Sequence, residues 1–211
     1  MKIKLNLSIF LVIILFIITN QIKIYLLIMI FALIHEVSHL ICGVSLGFKS
    51  KALTIMPFGF SIEFEMLVQD YNKKVLKSNN MAVKNIFIAL AGPVINLIIV
   101  ILGIKLKWDS NIIYSNFLIC IFNLIPIYPL DGGRMLLNIL KILYGNKKAH
   151  KYINCIANVL FVLFTMFGSI LILIYKNISI LLIIVVLLTL IIKENIRYNS
   201  YNKINKIIDK K

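Results

Sequence analysis

Several long stretches of this chain carry no charged residue, and they decide what it can fold into. Leu7 to Ile18, Ile86 to Ile104 and Ile178 to Ile192 are of this kind. A water-soluble domain is about 45–50% apolar, whereas this chain is 61% hydrophobic over 211 residues. Such a composition excludes a secreted disulfide scaffold, a disordered tail protein and a water-soluble enzyme. A membrane crossing takes roughly 20 residues. The length therefore accommodates about six crossings, short connections and one tail.

The apolar pattern predicts an all-α integral membrane protein with six transmembrane helices, at about 5–19, 24–47, 83–104, 112–130, 153–175 and 178–193. The N-terminus resembles a signal peptide but has no small-residue cleavage site after Ile18, so it reads as an uncleaved first span. Of the 23 Lys and Arg residues, only Lys23, Lys105, Lys107 and Lys176 fall on one side of this arrangement. Basic residues stay on the cytosolic side. The expected protein is thus a multi-pass cell-membrane protein with both termini in the cytosol. The net charge of +15 then reports topology and attraction to anionic lipid rather than nucleic acid, which is not an expected partner. Residues 1–195 form the expected membrane domain and 196–211 a basic cytosolic tail, without a PDZ or CBS domain.

The connection 48–82 is not uniformly polar. Phe58, Phe60, Ile62 and Phe64 alternate with smaller or polar residues, and Pro57 and Gly59 provide a turn. This predicts a short membrane-surface hairpin between spans two and three; a plain amphipathic loop is the other reading. Cys42, Cys120 and Cys155 match no metal spacing and are odd in number. They read as small apolar residues, neither disulfide-bonded nor ligating.

An ionisable group inside a span is costly and points to function. His35, Glu36 and His39 lie in the middle of the second span, and Asp131 lies at the end of the fourth. The order His35-Glu36-Val37-Ser38-His39 places two imidazoles just over one helical turn apart, on one face. Two such nitrogens can meet one Zn²⁺, and the glutamate, roughly 100° around the helix, can hold a water without being a ligand. The alternative is a buried polar packing cluster.

A catalytic zinc needs a third protein ligand and an open position. Asp131 is the candidate. It opens Asp131-Gly132-Gly133-Arg134 after a stretch broken by Pro126 and Pro129, as a span end lining a cavity would. Read alone, Asp131 is equally a cap on the following helix. Asn123 is a candidate to stabilise a developing oxyanion, or else an interhelical hydrogen-bonding group. Ala91-Gly92-Pro93-Val94-Ile95-Asn96 reads as helix packing with a buried amide that needs a partner, and Gly43 and Gly47 as a close helix contact.

His-Glu-x-x-His, then Ala-Gly-Pro-x-x-Asn, then Asn-x-x-Pro-x-x-Pro-Leu-Asp-Gly-Gly, in this order, resembles the site-2 protease family of intramembrane zinc metalloproteases. The compact six-span layout is most similar to its sporulation members, which act on a sigma-factor precursor. The resemblance covers about residues 1–195. It implies His35, His39 and Asp131 as ligands of one Zn²⁺, Glu36 as catalytic base and Asn123 near the scissile carbonyl. It also implies that the 48–82 hairpin pairs with an extended substrate strand. The expected activity is zinc-dependent regulated proteolysis of a membrane-associated protein. The expected partners are the lipid bilayer, that substrate and membrane regulatory proteins. A membrane metal transporter or sensor would use the same ligands without hydrolysis, but it usually needs more than one binding rung.

Overall fold

The computed structural model describes residues 2–5, 8–18, 20, 22–56, 59–64, 75–175, 188–189, 191–192 and 194–200. The described chain divides into two compact units, Met1–Leu124 and Ile125–Lys211.

The first unit holds four helices: α1 (Ser8–Ile18), α2 (Ile22–Ser45), α3 (Val75–Lys105) and α4 (Ser110–Leu124). It also holds the strands β1 (Lys2–Leu5), β2 (Ser50–Met56) and β3 (Gly59–Phe64). Helix α2 packs against α3, α4 and β3, and α3 packs against α4. The turn from α1 into α2 is tight. Asn20 takes φ 55°, its N–H donates to Ile17 O at 3.1 Å, and Phe16 stacks on Tyr25 at 4.7 Å. Asp109 caps α4, accepting from Asn111 N at 3.2 Å.

The expected hairpin is present. β2 and β3 are antiparallel, with Leu53 opposite Ile62 and Met56 opposite Gly59. Ala52 and Ile62 are buried. Gly43 of α2 has no room for a Cβ because the Phe64 ring of β3 occupies that position. The Gly43/Gly47 pattern, expected as a helix contact, therefore receives a strand residue.

Three expectations need correction. The fold is mostly helical rather than all-α, because β1 pairs in parallel with β2 and makes a three-stranded sheet in the order β1-β2-β3. Lys2 to Leu5 alternate, and the backbone follows that period of two before α1 begins. Helix α1 as described is 11 residues long, about 16 Å at 1.5 Å per residue, against roughly 30 Å of hydrocarbon. The 112–130 segment is likewise shorter as a helix: α4 ends at Leu124, and 125–130 turn, closed by Leu130 N donating to Ile127 O at 2.9 Å. Pro126 and Pro129 lack the N–H that a helix would use.

Among the described residues, three helices are long and apolar enough to cross a membrane: Ile22–Ser45, Asn79–Lys105 and Asp131–Ile170; Ser110–Leu124 is a shorter apolar helix. The chain is a multi-pass membrane protein. Most of the expected sixth span, 178–193, lies outside the described residues.

The second unit is built on α5 (Asp131–Tyr175), interrupted at Gly145 with φ 75°. Leu137, Leu140, Ala149 and Ile153, from either side of that interruption, form a buried cluster with Tyr128 packed on it. Residues 194–200 are helical.

Candidate metal centre

Helix α2 is inverted relative to a soluble helix. Leu33, Ile34, Val37 and Ile41 are exposed, whereas His35, Glu36 and His39 are buried. Lipid accepts the apolar face, so the polar residues turn inward, where other protein groups satisfy them.

Those groups come from α3. His39 Nδ1 donates to the Ile88 carbonyl at 2.6 Å, and His35 Nδ1 donates to Asn96 Oδ1 at 3.1 Å. A carbonyl oxygen can only accept, so each Nδ1 carries a proton and Nε2 is the ring nitrogen each histidine can offer to a metal. The two Nε2 atoms are 3.2 Å apart. On a tetrahedral zinc with Zn–N near 2.0–2.1 Å, two nitrogens stand about 3.3 Å apart. The pair thus fits a metal ion.

Two features of α3 make this possible. Pro93 lies inside the helix and cannot donate to the Ala89 carbonyl one turn earlier, next to the Ile88 carbonyl that serves His39. Gly92 faces the imidazoles. A Cβ there would stand 2.5 Å from His35 Nε2 and 2.5 Å from His39 Nε2, so any side chain would crowd both nitrogens.

Glu36 is tied to the hairpin. Its Oε1 accepts the Ile62 backbone N–H at 2.6 Å. Leu53 lies opposite Ile62 on β2, and β3 is the edge strand of the sheet. That N–H therefore leaves the sheet edge to orient the carboxylate.

Asp131 is the first residue of α5 and is 4% exposed. A helix N-terminus favours an anion there. Arg134 Nη1 stands 3.8 Å from its Oδ1, too far for a hydrogen bond. Gly133 has no room for a Cβ against the Ile127 carbonyl and Tyr128 N, which presses the 125–130 turn onto the start of α5. Among the described residues, His35, His39 and Asp131 form a group that can hold a metal ion, one ligand atom of each lying within 4.8 Å of the others. Asn123 spends its amide N–H on its own helix, donating to Ile119 O at 3.0 Å.

A model of peptidase family M50 matches residues 109–167, which include Asn123 and Asp131. The chain is 27% identical over 141 residues to stage IV sporulation protein FB of Bacillus subtilis, covering 63% of this chain and 46% of that protein. It is 29% identical over 155 residues to a zinc metalloprotease of Methanocaldococcus jannaschii, covering 68% and 42%. These matches make the chain similar to peptidase family M50. It spans less than half the length of these two curated relatives. Its fold is that of the site-2 protease from Methanocaldococcus jannaschii, with a TM-score of 0.65 at 24% identity over 91% of this chain and 89% of the other.

The two histidines, the aspartate and the likeness to zinc metalloproteases together imply zinc. Asn96, Gly92, the Ile88 carbonyl and the Ile62 N–H were not assigned to the site from sequence. Asn96 alone gave a signal, as a buried amide in an apolar helix. Its partner is His35. The three cysteines are free; Cys120 is buried and Cys155 exposed.

Proposed function

We propose that this chain is an intramembrane zinc metalloprotease that cleaves a membrane-associated protein. In this reading the membrane domain is 1–195 with six spans, both termini and the basic tail 196–211 are cytosolic, and His35, His39 and Asp131 hold the zinc. The observation that carries it is the buried pair of imidazoles, whose Nε2 atoms stand 3.2 Å apart against Gly92, the separation of two nitrogens on one tetrahedral zinc.

When bound, zinc supplies a Lewis acid that polarises the scissile carbonyl and acidifies a water. The protein's own residues do the rest. Glu36, oriented by the Ile62 N–H, takes the water proton and delivers it to the leaving amine. Asn96 and the Ile88 carbonyl fix the ring tautomers and their direction. Asn123 stands near the carbonyl that is attacked; its Nδ2 uses one of its two N–H groups on the Ile119 carbonyl, and the other can donate to the substrate. An extended substrate pairs with the 48–82 hairpin, where backbone pairing satisfies a strand in a low-dielectric setting. The likeness to a sporulation protein makes a sigma-factor precursor the substrate of choice.

The test is chelation of the purified chain in proteoliposomes with an unstructured, membrane-tethered reporter. Removing the metal is expected to abolish cleavage, and one equivalent of zinc to restore it. Cleavage that survives complete demetallation overturns the reading.

A further inference from the structure

The helical residues 194–200 are fastened to the segment that presents Asp131. The Arg197 guanidinium lies over the Tyr128 ring, 3.5 Å from its centroid. The same guanidinium donates through Nη2 to Glu194 Oε1 at 2.7 Å, and Glu194 is 2% exposed. Two residues before Arg197, Asn195 exchanges amide hydrogen bonds with Asn158 of α5, 3.2 Å in each direction. Asn158 is itself bonded to Asn154 Oδ1 at 2.7 Å. The segment is therefore latched at two places, on α5 and on the 125–130 turn.

Tyr128 is a stiff lever. It sits on the cluster of Leu137, Leu140, Ala149 and Ile153. Its backbone N abuts Gly133, where no Cβ fits, and Arg134 N donates to Leu130 O at 2.9 Å across the start of α5. Tyr128 cannot shift without shifting the first turn of α5, and Asp131 is in that turn. The ion pair with Glu194 holds the Arg197 guanidinium over the ring, and a cation–π contact strengthens once desolvated.

We propose that Arg197 is a positioning residue: stacked on Tyr128 and oriented by Glu194, it fixes the turn that delivers Asp131 to the metal. The proposal deepens the zinc-centre reading and rests on it. Residues beyond a first ligand typically change metal affinity by 10–100-fold. Acting through one more contact, Arg197 is expected to fall at the lower end.

The experiment uses the full chain in detergent micelles. Zinc affinity is read by competition with a chromophoric chelator, and ligand geometry by the visible absorption of the Co²⁺-substituted protein. Arg197→Met, which keeps an apolar stem but loses the plane, and Tyr128→Leu are each expected to weaken zinc about tenfold and to shift the cobalt bands. Tyr128→Phe keeps the ring and is expected to stay within about twofold of the wild type. The Arg197→Met/Tyr128→Leu double variant is expected to be no weaker than either single one. Wild-type affinity and an unchanged cobalt spectrum in Arg197→Met overturn the proposal, as does a Tyr128→Phe variant impaired like Tyr128→Leu. Should Arg197→Met fail to fold, the Tyr128 pair decides alone. A wild-type chain that takes up no zinc overturns the metal centre itself, and this proposal with it.

Discussion

Glu36→Gln is expected to retain one zinc per chain and to lower the cleavage rate by about two to four powers of ten. General acid–base catalysis contributes about 10²–10⁴-fold, and the substitution removes that contribution alone. Gln has the same shape as Glu, and its amide oxygen can still accept the Ile62 N–H that Glu36 Oε1 now accepts at 2.6 Å. The hairpin contact therefore survives. The amide cannot take a proton from water. Single-turnover cleavage in proteoliposomes, with zinc content measured on the same sample, separates the two effects. Loss of zinc together with activity would make Glu36 a ligand or a structural residue instead.

Gly92→Ala is expected to weaken zinc at least about a hundredfold while leaving α3 helical. Alanine stabilises a helix interior relative to glycine by about 1 kcal/mol, so local propensity favours the change. The obstacle is the space on the other side. The added methyl would stand 2.5 Å from both His35 Nε2 and His39 Nε2, where no carbon fits and where the ion belongs. Each ring is tethered at its Nδ1, to Asn96 and to Ile88, so neither can retreat without giving up a buried hydrogen bond. Zinc titration beside far-ultraviolet circular dichroism checks the prediction. Unaltered zinc affinity in a helical Gly92→Ala protein would mean that the imidazoles face elsewhere.

Much of this site is legible in the sequence because its rules are local. The helical period alone puts His35 and His39 on one face. A charge-free run makes each ionisable exception conspicuous, which singles out Asp131. The hairpin follows from the alternation of Phe58, Phe60, Ile62 and Phe64 around a turn. The remainder depends on partners distant in sequence. β1 has four residues and a parallel partner about fifty positions away, where Lys2 meets Ala52; no local pattern specifies that pairing. Asn96 announces only that it needs a partner, and His35 lies 61 residues earlier. The role of Gly92 depends on how closely α3 passes α2, which the Gly-Pro pair permits without specifying. Ile62 contributes a backbone N–H, which its side chain does not advertise. The length of α4 falls short of its hydropathy because the end of that segment, 125–130, is spent on a proline turn.

The central claim is that two imidazoles and one carboxylate share one zinc. X-ray absorption at the zinc edge of the purified, singly loaded chain tests it most directly. The account predicts one zinc per chain with two imidazole nitrogens at about 2.0–2.1 Å and a first shell completed by oxygen. A sulfur neighbour near 2.3 Å, which would bring in a cysteine, or an all-oxygen shell without imidazole would contradict it.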